Sequence, residues 1–144
     1  MHLQSSLEIG KPADEVFDVV ADFARNPEWQ GGMRSAVWTS EPPVRVGSTY
    51  EQVARFLGRD VVTSFEVVGY EPGRSITIES RASSFPIRVT RSVEPVTDGR
   101  SRVIADVSGE PGRFFRLFGP ILAQMAERSV RRDYRRLREL LESD

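Results

Sequence analysis

Between about residue 33 and residue 109 apolar and polar side chains alternate in runs broken by glycine-bearing turns; beyond residue 113 the spacing becomes helical. A period of two marks strands with one buried face, and a period near 3.6 marks an amphipathic helix. Ahead of the strand-rich middle, Leu3, Leu7 and Ile9 alternate with His2, Gln4, Ser6 and Glu8, which predicts an opening strand. Pro12 then sits at a helix start, and Val16, Phe17, Val20 and Phe23 recur at helical spacing. Asn26-Pro27-Glu28-Trp29 breaks that helix and starts a second short one, and Gly31-Gly32 releases the chain into a strand near 34–41. After the Pro42-Pro43 loop the strands run to about Gly109. A long helix is predicted over 113–142, with Gly119-Pro120 as a kink or restart.

Four turns predict one consistent face. A turn at Gly58-Arg59 pairs Phe56 with Val61, Gln52 with Phe65 and Tyr50 with Val67, and sets Glu51 opposite Glu66, tolerable only in solvent. A turn at Gly73-Arg74 pairs Gly69 with Ile78 and Val67 with Ser80, leaving Arg81 outside beside the glutamates. Ser83-Ser84 pairs Ser80 with Ile87 and Ile78 with Val89. Asp98-Gly99, the strongest hairpin signal, pairs Val93 with Ile104 and Arg91 with Asp106. A one-residue slip would invert a whole face, and none of the four does so. The pattern is α+β: a curved antiparallel meander of about seven strands, two short helices between the first two strands, and one long helix across the hollow.

Composition narrows this picture. A chain of 144 residues, 39% hydrophobic, buries one core, and we treat 1–144 as a single domain. A net charge of −1 gives no overall field to recruit nucleic acid or an anionic membrane, so no nucleic-acid partner is expected. No 18-residue apolar run is present for membrane insertion, and no signal pattern opens the sequence, so a cytoplasmic location is expected. The absence of cysteine removes disulfides and thiolate chemistry. His2 is the one histidine, at the terminus and pointing outward by alternation, which removes the usual general base and a His-rich metal site. No metal or other cofactor is expected.

Ile9 to Phe23, with its Gly10-Lys11-Pro12 start, followed by Asn26-Pro27-Glu28-Trp29, resembles the opening of the polyketide cyclase/dehydrase and lipid-transport family. That family lies within the START-like, helix-grip (SRPBCC) superfamily. The resemblance continues through Val46-Gly47-Ser48, Tyr70-Glu71-Pro72-Gly73 and the final helix from Gly119-Pro120 to Leu140-Leu141, so it spans essentially the whole chain. It implies the helix-grip fold and an internal cavity. It carries no shared catalytic motif, because fold alone does not fix activity.

Candidate ligand-binding positions follow from the predicted faces. The sheet offers Tyr50, Gln52, Phe56, Thr63, Phe65, Val67, Ile78, Ser80, Ile87, Val89, Arg91 and Asp106; the helix offers Phe114, Phe118, Leu122 and Met125. Small inward residues (Ala54, Gly69 and Ser80) leave volume, and polar ones scattered among apolar ones suit a small-molecule pocket rather than a dry core. Arg91 opposite Asp106 is the sharpest pair. It reads either as a structural ion pair or as a site in which Arg91 holds a ligand oxyanion and Asp106 orients it. If the protein is an enzyme, only Asp106, Arg91 and Tyr50 could serve catalysis, as a cyclase, aromatase or dehydratase without metal or nucleophile. The acidic residues Asp14, Glu15, Asp18 and Asp22 suit a helix N-terminus, Asp60 a turn, and Trp29 a packing anchor. Arg128, Arg131, Arg132, Arg135, Arg136 and Arg138 make the final helix basic. They read as a solvated face or as a surface for an acidic partner. Three functions therefore stand open: binding or transport of a small hydrophobic molecule such as a lipid, isoprenoid or polyketide-like compound; a cyclase or dehydratase using the same cavity; and an interaction module acting through the basic helix. The sequence does not specify an oligomeric state.

Overall fold

The structure, a computed structural model, describes residues 2–56, 58–81, 86–109 and 113–143, with the side chains at 56, 113–120 and 122 left aside. Strand β1 (His2–Ile9) leads into helix α1 (Ala13–Val20), a 3₁₀ helix (Phe23–Glu28) and β2 (Met33–Trp38). The meander follows as β3 (Thr49–Phe56), β4 (Arg59–Glu71), β5 (Ser75–Ser80), β6 (Ile87–Thr97) and β7 (Arg100–Gly109), and α2 (Arg113–Glu142) closes the chain over the hollow. The seven strands lie in the order β1-β7-β6-β5-β4-β3-β2, every neighbour antiparallel, so β1 and β2 are the two edges.

Local chemistry sets the crossover between those edges. Pro12 caps α1, Asp14 and Glu15 occupy the first turn where the helix dipole favours anions, and Val16, Phe17, Val19 and Val20 turn inward. Asp22 accepts from Ala24 N–H at 3.2 Å and from Trp38 Nε1 at 2.9 Å, so one carboxylate caps the 3₁₀ helix and ties it to β2. Two carboxylates of α2 clamp the ends of this crossover: Gly10 N–H donates to Glu142 Oε2 at 2.7 Å and Gly31 N–H to Asp133 Oδ1 at 3.0 Å. Val16, Val20, Phe23, Trp29, Val93, Val103, Tyr134 and Leu137 share the core between these layers.

The registers agree with the expected faces at two hairpins and depart from them at two, each time for a local reason. Strands β3 and β4 pair with Phe56↔Arg59 at the hairpin end and Tyr50↔Phe65 further along. Gly58 (φ +77°) takes the second loop position, as Gly99 (φ +77°) does after Asp98. The resulting two-residue shift leaves every face unchanged. Ile78 pairs with Val89 as expected.

At β4–β5 the loop has three residues, Pro72-Gly73-Arg74, and a bulge at Val68 separates Val67↔Ile78 from Gly69↔Thr77. The bulge corrects the expectation for Gly69. It faces outward, where a Cβ would touch Thr77 at 3.4 Å, while Tyr70 turns inward to stack on Phe17 with ring centroids 6.3 Å apart. A second bulge at Val96 moves β7 by one residue, from the expected Val93↔Ile104 to Val93↔Val103 and from Arg91↔Asp106 to Arg91↔Ala105. Val103 and Ala105 therefore face the core, and Ile104, Asp106 and Ser108 the outer side of the sheet.

Candidate functional site

A cavity of about 190 Å³ lies between the concave sheet, the 3₁₀ helix and α2. Its apolar walls are Phe23, Met33, Phe65, Ile78, Ile87, Val89, Val107 and Val130; its polar groups are Asn26, Gln30, Tyr50, Gln52, Arg91, Asp133 and Tyr134. Arg91 is the one cation among these lining groups. Only 2% exposed, its Nη1 donates to Val20 O at 3.0 Å and Asn26 Oδ1 at 2.9 Å. The guanidinium carbon lies 4.1 Å from the Phe23 ring centroid and 4.8 Å from that of Trp29, an arrangement in which aromatic faces stabilise a desolvated cation. Among the described residues no carboxylate forms an ion pair with it, and its Nε, Gln30 Oε1 and Trp29 Nε1 are buried without a hydrogen-bond partner.

The other polar groups feel this charge and their own burial. Tyr50 stacks between Phe23 and Phe65, both at 5.1 Å, and meets Trp38 edge-on at 5.4 Å. Burial pushes its phenol pKa well up, with Arg91 opposing, so the hydroxyl stays protonated. Tyr134, edge-on to Trp29 at 4.9 Å, is raised by burial in the same way. Burial also raises the Asp133 carboxyl, against the opposing pull of Gly31 N–H and of Arg136, Arg132 and Arg91.

A carboxyl whose folded pKa exceeds its unfolded value costs stability once ionised. That cost is absent below the unfolded pKa and grows as pH rises through the folded one. Asp133→Asn keeps an oxygen for Gly31 N–H and removes the charge, so the variant is expected to melt above wild type at neutral pH. The gap should close as pH falls below about 4. Melting curves of both proteins across pH test this, and a gap of constant size would contradict it.

The structure gathers part of the expected site. Tyr50, Gln52, Phe65, Ile78, Ile87, Val89 and Arg91 line the cavity together. Val67 is fully buried core, Thr63 stands half-buried on the inner face away from the cavity, and Ser80 Oγ accepts from Ile87 N–H at 2.9 Å beside a separate surface pocket. Asp106 is a correction: the Val96 bulge turns it outward to pair with His2, so it neither meets Arg91 nor touches the cavity. Met125 is a second correction, 53% exposed, because nine residues at about 100° each set it half a turn from the buried Tyr134. The side chains of Phe56, Phe114, Phe118 and Leu122 lie outside the described residues. Sequence reasoning missed Asp133, Tyr134, Asn26 and Gln30 as cavity residues. For the first two a signal existed: Val130, Asp133, Tyr134, Leu137 and Leu141 recur on one helical stripe.

A curled seven-stranded antiparallel sheet gripping a long C-terminal helix, with a partly polar cavity between them, defines a helix-grip protein of the START-like class. The chain belongs to the polyketide cyclase / dehydrase and lipid transport family, whose pattern matches residues 1–142. Solved structures agree on the fold. TTHA0849 from Thermus thermophilus superposes with a TM-score of 0.83 at 17% identity, covering 100% of both chains. The Zhui aromatase/cyclase from Streptomyces sp. R1128 gives 0.79 at 14% identity over 99% of this chain and 93% of that one. A START superfamily protein from Mycobacterium smegmatis gives 0.68 at 16% identity over 90% and 94%. No curated protein matches the sequence. No described helix is long and apolar enough to cross a membrane.

Proposed function

We propose that this protein binds a compact, mostly apolar molecule that presents a carbonyl, enolate or carboxylate oxygen to Arg91. One observation carries the reading: a buried guanidinium without a carboxylate partner among the described residues, its Nε unbonded, on the wall of a largely apolar cavity. Burying such a charge costs several kcal/mol, and a negatively polarised ligand oxygen bonded to it offsets that cost. The cavity volume, below the roughly 300–1,000 Å³ of drug-sized sites, favours a small cargo over a long acyl chain. Family membership supports an apolar ligand.

A second reading, turnover, is favoured by Asp133. A carboxyl raised by burial on the same wall as Arg91 holds a proton more readily than an exposed one, which suits proton transfer. Its carboxylate would take a proton from the carbon beside a carbonyl while Arg91 stabilises the enolate. The enolate carbon would then close a ring on a second carbonyl, the protonated Asp133 giving its proton to the new alkoxide. Asp133 would next take the remaining proton of the attacking carbon and return it to the hydroxyl as water leaves and the C=C bond forms.

Native mass spectrometry of the purified protein, repeated after denaturing extraction, tests the binding reading. A discrete adduct released on denaturation is expected. Absence of any adduct, together with no thermal shift from aromatic carboxylates or lipids, would overturn it.

A further inference from the structure

Away from the cavity, a groove of about 450 Å³ runs between β1 and α2, lined by Gln4, Ser5, Ser6, Leu7, Arg131, Arg135 and Arg138. Side chains alternate faces along a strand, so four consecutive residues can all border one groove only along the strand's edge. β1 is an edge strand, and its outward backbone groups have no strand partner among the described residues. The three arginines, spaced i, i+4 and i+7, form one face of α2. Seven helical residues and three strand steps both span about 10 Å, so the cation row and the stretch of open edge that border the groove have matching lengths.

Charge adds to this. Arg131 is paired with Glu127 at 2.6 Å, whereas Arg135 and Arg138 form no ion pair among the described residues. Elsewhere Arg34, Arg81, Arg88, Arg100 and Arg102 each face a carboxylate, while among the described residues Arg55 and Arg59 of the sheet form no ion pair.

We infer that this groove docks an extended acidic segment of a partner protein, which adds a strand to β1 and lays its carboxylates against Arg131, Arg135 and Arg138. Same-face side chains of a strand repeat every ~6.6 Å, close to the ~6 Å between helix positions i and i+4. An alternating acidic segment therefore fits both walls at once. A second copy of this chain fits poorly, since its β1 carries Glu8 as its one acid and its own arginine row would face this one.

Fluorescence anisotropy with a labelled, end-capped octapeptide alternating Glu and Val tests this, compared with the Lys/Val peptide and with the acidic peptide N-methylated at alternate residues. The acidic peptide is expected to bind, with affinity falling as salt rises. Arg135→Glu with Arg138→Glu should weaken it at least ~10-fold, the effect of losing two exposed pairs, and N-methylation should abolish it. Arg135→Gln with Arg138→Gln serves if the reversal perturbs folding, judged by circular dichroism. Equal binding of the acidic and lysine peptides, no effect of the arginine changes, or equal binding of the N-methylated peptide would overturn the inference. So would capture of anionic lipid vesicles through these arginines in place of the peptide.

Discussion

Tyr50→Ala is expected to lower folding stability by about 4 kcal/mol, near the middle of the range for a buried aromatic truncated to alanine. The ring is 1% exposed and sits between Phe23 and Phe65, with Trp38 on its edge. It therefore joins β3 and β4 to the 3₁₀ helix and β2 in a single stack. Each such pair adds about 0.5–1.5 kcal/mol beyond area burial. The vacated volume borders the existing cavity, so the walls have no nearby atoms to collapse onto. For a chain of this size the loss corresponds to a melting temperature lower by roughly 12–16 °C. Tyr50→Phe keeps the stack and removes only the hydroxyl, and should stay within about 1 kcal/mol of wild type. Urea unfolding of the two variants makes the test. A loss below about 1 kcal/mol for the alanine variant would mean the stack does not hold these elements together.

Arg91→Met should weaken capture of naphthoate, a bicyclic aromatic carboxylate, by about 10- to 100-fold, the worth of a charge-assisted hydrogen bond of ~1.5–3 kcal/mol. Folding should respond far less. Methionine fills a similar volume but leaves Val20 O and Asn26 Oδ1 without their donor, at about 1–3 kcal/mol each. Removing an unneutralised buried charge offsets a cost of the same order. Affinity and stability thus separate in this variant. Arg91→Lys keeps the charge but loses the flat contact with Phe23 and Trp29, and should fall between the two. Calorimetric titration alongside thermal melts reads both quantities. Unchanged naphthoate affinity in Arg91→Met would remove Arg91 from the binding site.

The meander was legible because turn glycines and alternating faces constrain one another. Even a pairing register displaced by two residues, as at the Gly58 hairpin, left Tyr50, Gln52 and Phe65 pointing inward. The bulges were not read from alternation, because Val68 and Val96 are ordinary strand residues; their marks lay next to them, in Gly69 and in Pro95, residue types that accompany bulges inside strands. Arg91 was nevertheless placed correctly, because β6 also pairs with β5, where Ile78↔Val89 holds without a bulge. Asp106 depended on the β6–β7 register alone and was lost with it. Asp133 was hidden by its setting: in an arginine-rich helix it reads as one acid diluting many bases. Only its place on the stripe with Tyr134 and Leu137 separates it from the solvated charges around it.

The two carboxylate clamps also bear on how the protein is made. During synthesis the whole sheet leaves the ribosome before α2, whose 30 residues follow over about 2–6 s at 5–20 residues per second. Until Asp133 and Glu142 emerge, nothing closes Gly31 and Gly10 against the helix, and the hollow lined by Phe65, Ile78 and Val89 stays open. Closure of the apolar hollow therefore waits for α2, and the two glycine contacts are made only once that helix is in place.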